Sequence, residues 1–200
     1  KVDRTFEVTK NTVIFATEDV TLTRDSAFGG DMFLLGPSEI SEDEAAEPAA
    51  ITFGSEDAKI TIDGNKDNVT VDVVGAVFFI RNLAEVKLCG VNVTNAKKVG
   101  NERVLEEAYA GVSYASQIGG AAAILTSGKL DIYDSEFSNN EVSVLETDTA
   151  DSISGRGAVI YSFGELNVYN STFTNNHATK AGAIYAYRET HLTDTTFEGN

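Results

Sequence analysis

Short runs of alternating apolar and polar residues recur along this chain, and from residue 119 to residue 200 they recur in register. Leu130-Asp131-Ile132 and Leu166-Asn167-Val168 show the two-residue period of a strand with one buried face. One copy runs from Gly120-Ala121-Ala122-Ala123-Ile124-Leu125 through Leu130, Ile132 and Tyr133 to Phe137-Ser138-Asn139-Asn140. The next runs from Gly157-Ala158-Val159-Ile160-Tyr161 through Leu166, Val168 and Tyr169 to Phe173-Thr174-Asn175-Asn176. The third runs from Gly182-Ala183-Ile184-Tyr185 through His191, Leu192 and Thr193 to Phe197-Glu198-Gly199-Asn200. The phenylalanines lie 36 and then 24 residues apart (173 − 137, 197 − 173), and the surplus twelve falls between Asn140 and Gly157. A fixed period with its insertions confined to one place is the signature of a solenoid.

No segment of the repeats carries apolar residues at i, i+3, i+4 and i+7 for long enough to make a helix. Each unit therefore predicts three short strands, around 158–161, 165–169 and 171–173, with glycine and Asn-Asn at the bends. Such a coil can bury its apolar face only against the coils above and below it, at about 4.8 Å per coil. The predicted fold is all-β, a right-handed parallel β-helix of about 24 residues per coil with loop insertions. Upstream the pattern is weaker. Residues 86–95 align with 130–139 at an offset of 44, and 76–80 take the place of the Gly-Ala-Ile stretch. Strands are also predicted at 5–8, 12–15, 20–22, 60–64 and 69–73. The whole chain reads as one domain of about seven or eight coils. Residues 1–50 are irregular N-terminal coils or a cap, 51–118 degenerate coils with an inserted loop, and 119–200 the clear repeats. Loops are expected at 37–50, 97–118 and 141–156, with a short helix at 101–110.

Gly-Gly-Ala-hydrophobe followed by Phe-x-x-Asn resembles the repeat of the chlamydial polymorphic outer-membrane proteins and of adhesin-like proteins of other microbes. The matches are Gly119-Gly120-Ala121 with Phe137 and Asn140, Gly157-Ala158-Val159 with Phe173 and Asn176, and Gly182-Ala183-Ile184 with Phe197 and Asn200. The first glycine of the pair is Arg156 in the second copy and Ala181 in the third, and the first copy inserts an alanine before Ile124. The resemblance implies a non-catalytic adhesin fragment, the passenger of a cell-surface (outer-membrane) or secreted protein engaged in host-cell adhesion and virulence. The motif residues themselves read as scaffold. The phenylalanines are expected to stack inside the coil and the asparagines to form an amide ladder at the bends.

Charge narrows the partners. A net charge of −16 argues against nucleic acid and anionic membranes, which require clustered Lys and Arg. The acidic run Glu39, Glu42, Asp43, Glu44 and Glu47 lacks the alternating ligand spacing of a calcium loop and reads as a solvated loop. The sequons at Asn68, Asn92 and Asn170 are expected by chance in so Asn- and Thr-rich a chain. The single cysteine, Cys89, reads as a buried apolar position. No run of eighteen apolar residues and no signal peptide is present. The chain reads as a piece of a longer protein, with any anchor or translocator outside it.

Parallel β-helices also house polysaccharide lyases and glycosidases, whose sites gather carboxylates and a base in a groove. Asp131, Asp134 and Asn167 fall at strand or turn positions, Arg156 and Arg188 are candidate bases, and His177 and His191 lack motif partners. Asp131 and Asn167 are equivalent positions of successive copies, so a ladder is expected in place of a catalytic pair. No cofactor or metal set is indicated. A structural stalk or self-associating surface component would need only regular coils. The long insertions after Asn95 and Asn140 instead interrupt the coil at one kind of corner, which places both on one edge of the solenoid. Loops on a rigid scaffold are where binding concentrates, and Tyr109, Tyr114 and Leu145 are its candidate anchors. A host-cell receptor, a matrix protein or a surface glycan is the expected partner.

Overall fold

A computed structural model describes residues 1–37, 47–72, 74–99, 120–143 and 156–200. The alternating runs form three parallel sheets of six strands each. The first holds β1 (Phe6–Val8), β4 (Phe33–Leu35), β7 (Phe78–Ile80), β11 (Ile124–Thr126), β15 (Ile160–Ser162) and β18 (Ile184–Ala186). The second holds β2 (Thr12–Ile14), β5 (Ala49–Gly54), β8 (Ala84–Cys89), β12 (Lys129–Tyr133), β16 (Leu166–Tyr169) and β19 (Thr190–Thr193). The third holds β3 (Val20–Thr23), β6 (Ile60–Asp63), β9 (Val91–Thr94), β13 (Glu136–Ser138), β17 (Thr172–Thr174) and β20 (Thr196–Glu198). The chain visits the three sheets in the same order in every round, and each strand pairs in parallel with its counterpart in the neighbouring rounds. The result is an all-strand, solenoid-like stack of the β-helix kind, with no helix among the described residues. The expected helix at 101–110 lies outside them.

There are six rounds among the described residues, fewer than the expected seven or eight. Register explains the difference. Partners along the first sheet are 27, 45, 46, 36 and 24 residues apart (Phe6 to Phe33, Phe78, Ile124, Ile160 and Ile184), so most rounds carry an insertion and only the last is minimal. Residues 69–73 were expected as a strand, but Val69 and Thr70 lie in no strand. There the Thr70 amide donates to the Ser26 carbonyl at 2.9 Å, and Val74 makes only a single antiparallel bridge to Val99. Conversely, segments expected as loop are paired. β5 begins at Ala49, and β10 (Lys97–Val99) and β14 (Glu141–Ser143) form a two-stranded parallel sheet. Each contributes one inward position, Lys98 or Val142, too few for alternation to show in the sequence.

The glycine motif also shifts. Ile160 pairs with Ile184 and Arg156 bridges Lys180, so Gly157 corresponds to Ala181, and Gly182 to Ala158. The left-handed backbone angle stays with the position and not with the glycine: φ is +66° at Gly157 and +58° at Ala181. Elsewhere the bends use Asn and Asp, whose short polar side chains tolerate this region. Asn95, Asn139 and Asn175 take it after the third sheet, and Asp134, Asn170 and Asp194 take it between the second and third.

The core is the inside of the stack. Leu88, Leu130, Ile132, Leu166 and Val168 line it from the second sheet, and Phe33, Phe53 and Phe78 meet at ring separations of 5.0–5.2 Å near the start. A second apolar cluster lies on the opposite face of the first sheet, where Phe79, Leu125 and Tyr161 are buried with Ala76 and Ala121. Arg24 is also fully buried. Its guanidinium donates to the carbonyls of Phe28, Gly30, Gly75 and Ala76, tying residues 25–31 to the start of the third round. Burial lowers its pKa to about 10, against the opposing pull of Asp31.

Candidate functional site

The repeat motif builds two ladders along the stack. Phe137 and Phe173 are fully buried and stack at 5.0 Å, and Phe197 continues the column at 4.8 Å with 44% of its surface exposed. Asn140, Asn176 and Asn200 form the second. Asn140 Nδ2 donates to Asn176 Oδ1 at 2.9 Å, and Asn176 Nδ2 to Asn200 Oδ1 at 2.7 Å. The same oxygens accept the backbone amides of Asn140 and Asn176, and the Ala96 amide closes the ladder on Asn140 Oδ1 at 2.9 Å. Each amide nitrogen also reaches a carbonyl one round earlier, on Val93, Phe137 or Phe173. Buried amides so placed are fully satisfied, which makes the corner rigid.

A third ladder, absent from the expectations above, is built from serine hydroxyls. Ser135 and Ser171, two residues before their phenylalanines, are buried and pass hydrogen bonds across the second corner. Ser171 Oγ accepts the Ser135 amide at 3.2 Å, and Ser135 Oγ accepts the Val91 amide at 3.1 Å. Each hydroxyl in turn donates to the carbonyl two residues back, on Tyr133 or Tyr169. Thr195 Oγ1 donates to Thr193 in the same way. The signal was present as the repeated Ser/Thr-x-Phe.

Gly120, Ala121, Ala158, Val159 and Ala183 lie at the entry to the first sheet and are buried, Ala121 in the second cluster and Val159 and Ala183 in the core; Ile184, in β18, is half-buried and packs against that core. At Gly120 a side chain would meet the Tyr161 ring at 2.6 Å, so only glycine fits. Gly119, Tyr109, Tyr114 and Leu145 lie outside the described residues, as does the acidic run except for the exposed Glu47.

The attachment points of the two insertions are described. β10 and β14 lie side by side after the asparagine corner, with Lys97, Lys98 and Val99 opposite Glu141, Val142 and Ser143. Residues 100–119 follow the first strand and lead to β11; residues 144–155 follow the second and lead to β15, the parallel neighbour of β11. Both insertions therefore leave from adjacent strands and return to adjacent strands. Ser143 Oγ donates to Glu141 Oε1 at 2.6 Å and Lys66 Nζ lies 3.8 Å from Oε2. The serine bond, with Lys66 and Lys97, holds the Glu141 carboxyl below its ordinary range despite partial burial. On the return side, the Arg156 guanidinium lies over the Tyr185 ring at 4.9 Å and donates to the hydroxyls of Tyr185 (3.0 Å) and Tyr187 (3.5 Å). Burial, reinforced by the bond to Tyr187, drives the Tyr161 hydroxyl far above its usual pKa.

The residues weighed for catalysis do not converge. Asn167 Nδ2 donates to Asp131 Oδ1 at 2.7 Å and to Glu165 Oε1 at 2.9 Å, a rung of a ladder across register partners. Lys129 pairs with Glu165 at 3.4 Å, and the Asn167 bond chiefly depresses the Glu165 pKa. Asp134 Oδ1 accepts Asn170 Nδ2 at the corner. His191 faces its own neighbour Glu189 at 3.2 Å, exposed His177 bridges Glu141 through its backbone, and Arg188 is exposed. Cys89 is buried beside Tyr133 in register, and desolvation raises its pKa. No group of three His, Cys, Asp or Glu poised for a metal occurs among the described residues, nor any helix able to cross a membrane. No protein family, curated protein or solved structure matches the chain.

Proposed function

We propose that this chain is a fragment of a microbial cell-surface or secreted adhesin: a right-handed parallel β-helix, minimally 24 residues per coil, that carries binding segments and no catalytic machinery. The observation that carries the reading is the common origin of the two insertions, residues 100–119 and 144–155, on the paired strands β10 and β14. The asparagine ladder at that corner and the buried phenylalanine column beside it supply the rigidity that displayed segments need. Tyr109, Tyr114 and Leu145 fall within these insertions and are the apolar anchors assigned to a host receptor, matrix protein or surface glycan. Beads coated with the fragment, compared with beads bearing an unrelated β-helix, test this on cultured epithelial cells. Saturable attachment that free fragment blocks supports the adhesin; absence of attachment by folded protein replaces it with a stalk.

A further inference from the structure

At the corner between the second and third sheets, a different corner from that of β10 and β14, lies a polar groove of ≈ 420 Å³ whose lining includes Glu56, Lys59, Asp134, Glu136, Asn170 and Thr172. It belongs to the middle rounds and is independent of either end of the stack. Lys59 Nζ is committed to the Asp134 carbonyl at 2.8 Å, whereas the exposed side chains of Glu56, Glu136 and Thr172 make no hydrogen bond among the described residues. The groove opens onto an axial row on the outer face of the third sheet. Thr61, Asn92, Glu136, Thr172 and Thr196 are successive register partners there, one hydrogen-bonding side chain per round.

We propose that this groove and row form a binding track for an extended, uncharged, β-linked oligosaccharide. The row offers a polar side chain about every 4.8 Å, and a β-linked pyranose chain advances by about the same distance per sugar. Carboxylates, an amide and hydroxyls are the groups that pair with sugar hydroxyls. Three carboxylates facing one engaged lysine, in a chain of net charge −16, repel uronic and sulfated polymers. An extended peptide would instead be captured through its backbone at an unpaired sheet edge, and strands β6, β9, β13 and β17 are paired on both sides. The proposal rests on the adhesin reading for its role in adhesion and adds to it a second contact, a glycan track on the coil body apart from the insertions.

Calorimetry on the 200-residue chain tests it with cellohexaose and chitin hexaose, hexagalacturonate as anionic control, and a short polylysine peptide. The expected result is binding of a neutral hexaose that the double variant Glu56→Ala/Glu136→Ala weakens by about tenfold or more and that deletion of residues 144–155 leaves unchanged. Circular dichroism verifies that the variants fold; Thr172→Arg, which blocks the track without removing a carboxylate, must weaken binding too. No binding of either neutral hexaose, binding unmoved by these variants, or binding of polylysine alone overturns the track. Bead attachment measured in parallel separates the two readings: attachment without hexaose binding sinks the track alone, whereas hexaose binding without attachment sinks the adhesin alone.

Discussion

The columns inside the stack make single residues count unequally. Phe173 is fully buried between Phe137 and Phe197, so Phe173→Ala opens a cavity with a ring on each side and should cost about 3–5 kcal/mol. Phe197→Ala, at a ring 44% exposed and stacked on one side only, should cost much less in the same urea titration. Equal losses would mean that the column does not carry the energy. Ala181 offers a test of opposite sign. It holds φ +58° where its register partner in the preceding round is Gly157. A left-handed alanine costs about 1–2 kcal/mol, of which glycine's extra unfolded-state freedom returns part. Ala181→Gly should therefore stabilise the protein by roughly 0.5–1 kcal/mol, and a destabilised variant would show that the angle is not strained.

At the level of elements, the strands with two inward apolar residues were legible from sequence, because Leu130 with Ile132 and Leu166 with Val168 display the alternation outright. The offset of 44 between β8 and β12 was legible for the same reason. β10 and β14 were not, since a three-residue strand with one inward position has no period to read. Aligning the third copy on its glycine sets it one residue late, because the turn needs an angle and not a glycine, and Ala181 supplies it. The serine ladder was hidden by its composition, as Ser and Thr are common in loops, and the groove because its residues come from separate rounds. The small sheet these strands form should respond to pH. Glu141 has a folded pKa below its unfolded value of about 4.3, chiefly through the Ser143 hydrogen bond. Its contribution is thus present above that unfolded value and is lost as pH falls through the folded one. Amides of Glu141 and Val142 should lose protection, relative to their intrinsic exchange rates at each pH, on acidification while that of Phe137 keeps it, and Glu141→Gln should abolish the step. An unchanged pattern in the variant would assign the step to another group.

For the whole molecule, the decisive question is whether scaffold and displayed segments are separable. The last two rounds give the geometry for a clean excision. Glu141 bridges His177 and Arg156 bridges Lys180, so Ser143 stands where Thr179 stands, and Arg156 stands where the next residue, Lys180, stands. Removing the twelve residues 144–155 joins Ser143 to Arg156 as Thr179 is joined to Lys180, and brings the Phe137–Phe173 spacing from 36 to the minimal 24. A cut reaching back to Val142 would instead remove a buried residue paired with Lys98. The excised chain should keep its sheet signal in circular dichroism and its stability to within about 1 kcal/mol, since closing a shorter connection costs little. Its attachment to epithelial cells should fall. Retained attachment would move the adhesive surface to residues 100–119 or to the coil body, and an unfolded product would make the insertion part of the scaffold.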